Sequence, residues 1–188
     1  VWATGVGIYY YGSNSELEVE VSGNDLSGGT AGIYGQHDSG SNSYPYALTA
    51  RVLGNWVHDT GGVGIEGYAS YYSRFYAEVR GNRVEGNAGI GIYQHYVSGY
   101  AQHDAVLTLN RVVGNGGWGI NVGATGLSRV VYNDIDANGA GALYNAGAYP
   151  IDARLNWWGQ ATTQAMAAGQ GTVNLAAIYD VYDNSGVG

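Results

Sequence analysis

The tripeptide Gln-His-Asp occurs twice in this chain, at residues 36–38 and 102–104, and it is the first place to look for chemistry. A histidine beside a carboxylate can act as a general base or bind a metal. The two copies lie at different offsets within their loops, and adjacency in sequence does not fix the geometry of such a pair. The residues that we retain as catalytic candidates, without a motif that unites them, are Glu66, His37, His95, His103 and Arg74.

Tyrosine is the second residue type that could form a site, because the chain has 18 of them. A tyrosine offers a flat apolar ring and a hydroxyl group, which suits stacking on a sugar face and hydrogen bonding to its edge. The alternative is that the rings only pack on one another and stabilise a sheet. The predicted ligand-binding residues are Tyr9, Tyr34, Tyr68, Tyr93, Tyr96 and Tyr144.

The sequence does not indicate a metal site. The chain has no cysteine, which excludes thiolate ligands. The body of the chain has no clustered aspartate triplet of the kind that binds calcium. We therefore expect no metal site and no cofactor, and Ca²⁺ is the one ion that the carboxylates could hold.

An internal repeat must position these side chains. The spacing from each repeated asparagine to the next Gly-Ile step is 8 or 9 residues, whereas the spacing from the step to the next asparagine varies from 14 to 23. A sixth, degenerate step is Ala142-Leu143. The repeated asparagines are Asn24, Asn55, Asn82, Asn110, Asn133 and Asn156, and the steps begin at Gly7, Gly32, Gly64, Gly91 and Gly119.

This repeat predicts a solenoid of about six turns, with all insertions at one corner. Within a turn the pattern has a period of two, as where Leu17, Val19 and Val21 alternate with glutamates, so the turns are built from strands. We expect asparagine or glycine to take the left-handed backbone conformation at the corners. The asparagines should stack about 4.8 Å apart and bond to one another as an inner ladder.

The same alignment predicts two outward columns. Four residues before each asparagine, opposite charges face each other on neighbouring turns with one interruption, which stabilises the register modestly. Directly after each Gly-Ile step lies an aromatic strip with one carboxylate, which could hold an extended chain along the solenoid axis. The charged column is Glu20, Arg51, Glu78, Val106, Arg129 and Asp152, and the aromatic strip is Tyr9, Tyr34, Glu66, Tyr93, Asn121 and Tyr144.

The Gly-Asn/Gly-Ile repeat over residues 1–159 resembles the right-handed parallel β-helix of the pectate-lyase-like superfamily and related bacterial exoproteins. The closing segments Asn156-Trp157-Trp158-Gly159 and Ile178-Tyr179-Asp180 are similar to the ending of many such proteins. The resemblance implies an all-β solenoid over 1–159 and a small C-terminal cap over 160–188. It does not select a function, because this fold hosts lyases, hydrolases, epimerases, phage tailspikes and non-enzymatic surface proteins.

The enzymes of this superfamily set requirements that the chain meets poorly. A lyase needs a base, often arginine or lysine, and a means of neutralising the uronate charge, but the chain has no lysine and its arginines are scattered. An inverting hydrolase needs two carboxyl groups about 6.5–9.5 Å apart. Few outward carboxylates lie on neighbouring turns without an intervening arginine.

The composition of the chain argues against several classes of binding partner. The net charge of −8 argues against binding to duplex nucleic acid or an anionic membrane, and it favours neutral glycans over uronates. No apolar run is long enough to insert into a membrane. The chain starts on a strand at Val1 without a cap, so we expect further turns or another domain before it in a larger protein.

The sequence leaves three functional readings open. The first is a non-catalytic β-helix domain of a secreted or cell-surface bacterial protein, which recognises a carbohydrate or another cell-surface polymer or serves as a rigid spacer. The second is a polysaccharide lyase or hydrolase that uses the catalytic candidates named above. The third is a structural protein that assembles end to end into filaments.

Overall fold

The computed structural model describes residues 5–40, 46–97, 100–123, 125–126, 128–160 and 163–164, and the backbone of 178–179. Within these ranges the chain winds into a solenoid of three parallel sheets with six, seven and five strands. The predicted all-β parallel solenoid is therefore confirmed, and its number of turns is close to the six expected. The segment of variable length connects sheet 1 to sheet 2 in every turn, so the insertions lie at one corner as predicted.

Successive turns add strands to sheets 1, 2 and 3 in that order. Sheet 1 consists of β1 (Val6–Ser13), β4 (Ala31–Ser39), β7 (Val63–Tyr71), β10 (Ile92–Tyr96), β13 (Trp118–Val122) and β16 (Gly141–Asn145). Sheet 2 consists of β2 (Leu17–Ser22), β5 (Ala47–Leu53), β8 (Arg74–Arg80), β11 (Gln102–Thr108), β14 (Arg129–Val131), β17 (Ile151–Asp152) and β18 (Ile178–Tyr179). Sheet 3 consists of β3 (Asp25–Ser27), β6 (Trp56–His58), β9 (Arg83–Glu85), β12 (Arg111–Val113) and β15 (Asp134–Asp136).

The register between turns agrees with the predicted alignment. Aliphatic side chains of sheet 1 and sheet 2 stack in two inward columns, and most of these side chains are buried. Burying such columns continuously from turn to turn provides the hydrophobic core of the solenoid. The sheet 1 column is Ile8, Ile33, Ile65, Ile92, Ile120 and Leu143, and the sheet 2 column is Val21, Val52, Val79, Leu107 and Val130.

The charged column is also in the predicted register, from Glu20 to Asp152. The Arg51 guanidinium lies 3.8 Å from the Glu78 carboxylate, and the Arg129 guanidinium lies 3.7 Å from the Asp152 carboxylate. Exposed pairs of this kind contribute at most about 1 kcal/mol each. The column therefore supports the register but does not determine it.

The predicted asparagine ladder runs through the buried corner between sheets 2 and 3. In its centre, Asn110 Oδ1 accepts hydrogen bonds from the backbone and the side-chain amide of Asn82, both at 3.0 Å. Asn110 Nδ2 in turn donates to Asn133 Oδ1 at 3.0 Å and to the carbonyl of Val79 at 2.8 Å. Each carboxamide thus ties three successive turns together, because it bonds to the turn before and the turn after.

A second ladder was not predicted. It lies five residues after the first, at the corner that follows sheet 3, and it begins with the backbone of Thr60, which donates to Asn87 Oδ1. Asn87 then donates to Asn115 at 2.8 Å, and Asn115 donates to Asn138 at 2.9 Å. The signal was present in the sequence as an asparagine repeated at this offset in three turns.

The left-handed residues at the corners are one position away from the prediction. Positive φ occurs at the residue before each ladder asparagine, and no ladder asparagine has it. The first three turns use glycine there, as the prediction allows, but the last three use Leu109, Tyr132 and Leu155. The asparagine instead needs extended geometry, because its carboxamide must point inward to bond to the next turn.

The glycine of each Gly-Ile step is required by close approach. A Cβ atom built on Gly91 would lie 2.6 Å from both the carbonyl oxygen of Gly119 and a methyl group of Val112. Neighbouring turns therefore pack backbone against backbone at this corner, and only a glycine fits. This contact explains why the glycine of the step recurs in five of the six turns.

The predicted cap over 160–188 lies almost wholly outside the described residues. Within them, the backbone of β18 pairs in parallel with β17. Trp158 is buried against the core, whereas Trp157 is 56 % exposed.

We predict that an asparagine at the centre of the ladder contributes more to the free energy of unfolding than the asparagine at its first rung. Asn110→Ala removes four hydrogen bonds and leaves buried partners unsatisfied, so it should lower the free energy of unfolding by about 3 kcal/mol. Asn24→Ala, at the part-buried first rung, should cost about 1 kcal/mol. Urea unfolding followed by circular dichroism measures both, and equal losses would contradict a ladder that stabilises through buried partners.

Candidate functional site

The side chains that project outward from sheet 1 form one continuous surface, which we call the aromatic face. It contains three columns in parallel register, and tyrosines are the largest group in it. The first column is the predicted strip, which the pairing of the strands confirms. The face consists of Tyr9, Tyr34, Glu66, Tyr93, Asn121 and Tyr144 in the first column, Tyr11, Gln36, Tyr68 and His95 in the second, and Asp38 and Ser70 in the third.

Glycines on the inner side of the same strands allow large side chains to fill the interior beneath this face. A Cβ atom on Gly35 would overlap the ring of Tyr10, and a Cβ atom on Gly67 would overlap the carboxamide of Gln94. In one inward column two successive glycines, Gly35 and Gly67, thus lie between the larger side chains of Tyr10 and Gln94. The face above them stays a regular sheet, since the interior accommodates these side chains without moving the strands.

Ring stacking gives the face its rigidity. The rings of Tyr9 and Tyr34 are stacked between neighbouring turns, with centroids 5.5 Å apart and planes 17° from parallel. Tyr93 stacks on the imidazole of His95 along one strand, at 3.9 Å and 3°. Exposure decreases along the strip, from 55 % at Tyr9 to part-buried rings at Tyr34, Tyr93 and Tyr144.

Glu66 and His95 form the one carboxylate–imidazole pair on the aromatic face. His95 Nε2 lies 2.8 Å from Glu66 Oε1, and each side chain is 17 % exposed. The ring of Tyr68 lies 4.9 Å from the imidazole, and the ring of Tyr93 stacks on it. The pair is thus packed among aromatic rings, in a geometry in which the carboxylate orients the imidazole.

Asp38 is the centre of a hydrogen-bond network at the other side of the face. Its carboxylate accepts a hydrogen bond from Tyr11 Oη at 3.2 Å, one from Gln36 Nε2 at 2.9 Å, and one from Ser70 Oγ. Tyr34 Oη donates to Gln36 Oε1 at 3.2 Å. The network fixes the orientation of these polar groups before any ligand arrives, which lowers the entropic cost of binding.

Four tyrosine hydroxyls of the face have raised pKa values and remain protonated donors at neutral pH. Burial, reinforced by the nearby Glu66 carboxylate, raises the pKa of Tyr34 to about 12. Burial is also the main cause of the raised pKa values of Tyr9, Tyr68 and Tyr93. The face therefore presents neutral hydroxyls that can both donate and accept hydrogen bonds.

The two carboxylates of the face are too far apart to act together on one glycosidic bond. Asp38 pairs with Ser70, which lies four residues beyond Glu66 on β7. Four residues of strand span about 13 Å, whereas an inverting hydrolase places its carboxyl groups about 6.5–9.5 Å apart and a retaining one places them closer.

The structure separates the catalytic candidates from one another. Glu66 and His95 lie together on the aromatic face, whereas Arg74 occupies an outward position on sheet 2. His37 and His103 are completely buried. Tyr96, predicted as a ligand-binding residue, follows the face at the end of β10 but belongs to an inward column with His37 and Ala69.

The buried histidines of the two Gln-His-Asp copies make internal contacts. His37 Nε2 lies 3.2 Å from the carbonyl of Ser15, and burial lowers its pKa. His103 stacks on Phe75, with centroids 4.9 Å apart, and burial lowers its pKa to about 4. Neutral His103 donates from Nδ1 to the carbonyl of His95 at 2.9 Å, and Gln94 then donates its amide to Nε2, which requires the side-chain amide to be turned over. His103 is thus a positioning residue for the end of β10.

Asn121 is the least satisfied polar group of the strip. It lies in register between Tyr93 and Tyr144, and it is 8 % exposed. Its Oδ1 atom is buried and has no hydrogen-bond partner among the described residues. Such groups are rare in folded proteins, so they mark places where a ligand or a water molecule completes the structure.

Sequence reasoning missed the second and third columns of the face. Tyr11 is not selected from the sequence, and Gln36 and Asp38 are expected in a loop, but β1 and β4 include all three residues. The signal that could have found them is the period of two, since each lies two or four residues beyond a member of the predicted strip.

A comparison with protein-family models matches residues 2–151 to the family described as "Periplasmic copper-binding protein (NosD)". The chain belongs to the NosD family. Searches of curated proteins and of solved structures gave no significant match. No helix in the described part of this NosD-family chain is long and apolar enough to cross a membrane.

The described residues of this NosD-family chain do not bring together ligands that fit a copper site. Cu(I) prefers cysteine and methionine ligands, and the chain has no cysteine and one methionine. All four histidines lie in the described ranges, where no group of three His, Asp or Glu side chains could hold a metal ion. The nearest approach is His58, but Asp25 and Asp59 contact opposite nitrogens of its ring, at 3.0 and 2.7 Å, so the three groups cannot converge on one ion.

We predict that His103 contributes to acid destabilisation. Its pKa in the folded protein lies below the value of about 6.5 for an unfolded chain, so the unfolded state binds more protons as the pH falls. The free energy of unfolding should therefore decrease between about pH 7 and pH 4. In His103→Phe, whose ring can still stack on Phe75, this decrease should be shallower by up to about 3 kcal/mol. Urea unfolding at several pH values measures the difference, and identical slopes would show that His103 does not titrate in this way.

Proposed function

We propose that this NosD-family chain is a non-catalytic glycan-binding module of the cell envelope. The observation that carries the proposal is the aromatic face, on which tyrosine rings and fixed polar groups repeat from turn to turn along one side of the solenoid. Flat apolar rings bordered by hydrogen-bonding groups match the two surfaces of a sugar ring. A rigid scaffold that presents such a surface needs little rearrangement to bind.

The charge of the face favours a neutral glycan. The six strands of sheet 1 contain no lysine and no arginine, and the carboxylates of Asp38 and Glu66 lie on the face. A uronate chain would meet these carboxylates with no cation to offset them. Neutral hexose or N-acetylhexosamine chains avoid this repulsion and can use the hydroxyl groups of the face.

The geometry of the face favours an extended chain that runs along the solenoid axis. Neighbouring turns are separated by about 4.8 Å, the spacing of paired strands. An extended chain of equatorially linked pyranoses advances by a similar distance per sugar, so successive sugars can meet equivalent positions on successive turns. Asn121, with its unsatisfied oxygen, would then contact the sugar that lies between Tyr93 and Tyr144.

The wider assignment to the pectate-lyase-like superfamily and the location are part of the same proposal. The periplasmic description of the matching family supports a location outside the cytoplasmic membrane, either in the periplasm or, as the sequence suggests, secreted or on the cell surface. Copper binding is not included in the proposal, because the histidines and carboxylates of the described residues do not converge on an ion.

The Glu66–His95 pair supports a second candidate, a polysaccharide-degrading enzyme. A carboxylate that orients an imidazole is a common arrangement for a general base. The pair lies at the centre of the strip, where a bound chain would pass. Against this candidate, no second acid or base lies opposite the pair among the described residues of the face.

We predict that Tyr34→Ala and Tyr93→Ala each weaken binding of the best neutral glycan by about tenfold, because each removes a ring from the centre of the strip. A glycan array selects the ligand, and isothermal titration measures its dissociation constant. The matched control is Tyr76→Ala, which removes a 39 % exposed ring from the outward side of sheet 2 and should leave binding unchanged.

Three outcomes decide between the functions. Weaker binding with melting temperatures within a few degrees of the wild type supports the module. A large loss of stability without loss of binding would show that the rings only stabilise the sheet. The same reactions are analysed for new reducing ends and unsaturated ends, and turnover that disappears in Glu66→Gln would establish the enzyme instead.

A further inference from the structure

The change in turn length towards the end of the solenoid leaves a notch at the variable corner. Nineteen residues separate Gly91 from Asn110, whereas fourteen separate Gly119 from Asn133 and also Ala142 from Asn156. β10 and β11 therefore run further towards this corner than the strands of the next two turns, since the pairing with β13 ends at Gln94 and the pairing with β14 begins at Val106. A cavity of about 510 Å³ lies at this step, lined by Tyr96, Tyr100, Gln102, Thr125, Ala148 and Tyr149.

The walls of the notch are tied to the body of the solenoid. Asn145, which is 1 % exposed, donates to the carbonyl of Tyr149 at 2.8 Å and accepts from the backbone of Gly147 at 2.9 Å. On the other side, the backbone of His103 donates to Thr125 Oγ1 at 2.8 Å. The cavity is thus shaped by part-buried hydrogen bonds within the protein, which do not depend on a ligand.

Two aromatic side chains that line the notch are largely exposed. Tyr100 is 71 % exposed and stacks against Tyr72 of the preceding turn, with centroids 4.9 Å apart. Tyr100 also lines the notch. Tyr149 is 57 % exposed and lines the notch from the turn nearest the C-terminus.

The chemistry of the lining selects a neutral polar ligand. The lining contains no Asp, Glu, Lys, Arg or His, so it offers no acidic or basic side chain as a counter-charge for an anion or a cation. The lining instead combines ring faces with hydroxyl groups and the carboxamide of Gln102. The volume lies in the usual range for small-molecule sites and is sufficient for one sugar ring.

We propose that the notch is a second carbohydrate site, which binds a single neutral pyranose. The ring faces of Tyr100 and Tyr149 flank the sugar, and Gln102 and Thr125 bond its hydroxyl groups. This site is separate from the aromatic face, because it lies at the corner where sheet 1 ends and its walls come from three loops. It does not require that the face binds a polysaccharide.

The test uses monosaccharides, which are too short to span the aromatic face. Glucose, galactose, mannose and N-acetylglucosamine are titrated into the full chain by saturation-transfer NMR, with glucuronate and glycerol as controls. We expect at least one neutral pyranose to bind with a dissociation constant of about 1 mM, the range reached by a ligand of this size. Glucuronate should bind more weakly, and glycerol should show no saturable binding.

Variants distinguish binding at the notch from binding at the aromatic face. Tyr149→Ala and Tyr100→Ala change exposed rings and should weaken monosaccharide binding by about tenfold. Ala148→Phe, which fills the notch from an exposed position, should abolish it. Tyr9→Ala, an equally exposed ring on the aromatic face, should leave it within twofold of the wild type.

The proposal is overturned if no monosaccharide binds, if Ala148→Phe binds as well as the wild type, or if Tyr9→Ala causes the same loss as Tyr149→Ala. Monosaccharide binding that survives in Tyr34→Ala, while polysaccharide binding is lost, would confirm two separate sites. Loss of polysaccharide binding alone tests the aromatic face and leaves the evidence for the notch unchanged.

Discussion

Each turn of the solenoid is tied to the next by a buried asparagine whose carboxamide bonds both the side chain and the backbone of its neighbour. Because a carboxamide reaches only one strand spacing, the ladder fixes the register of every turn at the corner between sheets 2 and 3. A shift of one residue would turn the aliphatic columns outward and the tyrosines inward. The aromatic face therefore depends on the ladder, although no ladder residue belongs to it.

The parts of the fold that the sequence predicts are those with a fixed spacing. The Gly-Ile step and the first asparagine recur at nearly constant distance, so the inward columns, the charged column and the aromatic strip follow from counting. Contacts made inside the variable segments cannot be predicted by counting in this way. His37 and His103 share a tripeptide, yet the structure buries both against main-chain carbonyls, which adjacency to an aspartate does not reveal. The notch arises from a difference between turn lengths, and its lining residues Thr125 and Tyr149 carry no motif.

The family match describes the scaffold of this chain, whereas its surface residues determine what it can bind. The match over residues 2–151 is carried by the repeat, which specifies the scaffold, whereas binding depends on side chains that the scaffold displays. In this chain tyrosines are the largest group at the outward positions of sheet 1. Its histidines are buried, paired with Glu66, or held between Asp25 and Asp59. The same asparagine and glycine framework can thus support different surfaces.

The length of the glycan is the variable that tests the aromatic face most directly, because a glycan aligned with the solenoid axis gains one set of contacts per turn. Dissociation constants can be measured for a homologous series of the best-binding neutral oligosaccharide, from one to about eight units. Our account predicts that affinity rises with each added sugar and levels off near six units, since sheet 1 has six strands. An affinity that does not change beyond the first sugar, or a complete absence of binding to the longer chains, would contradict it.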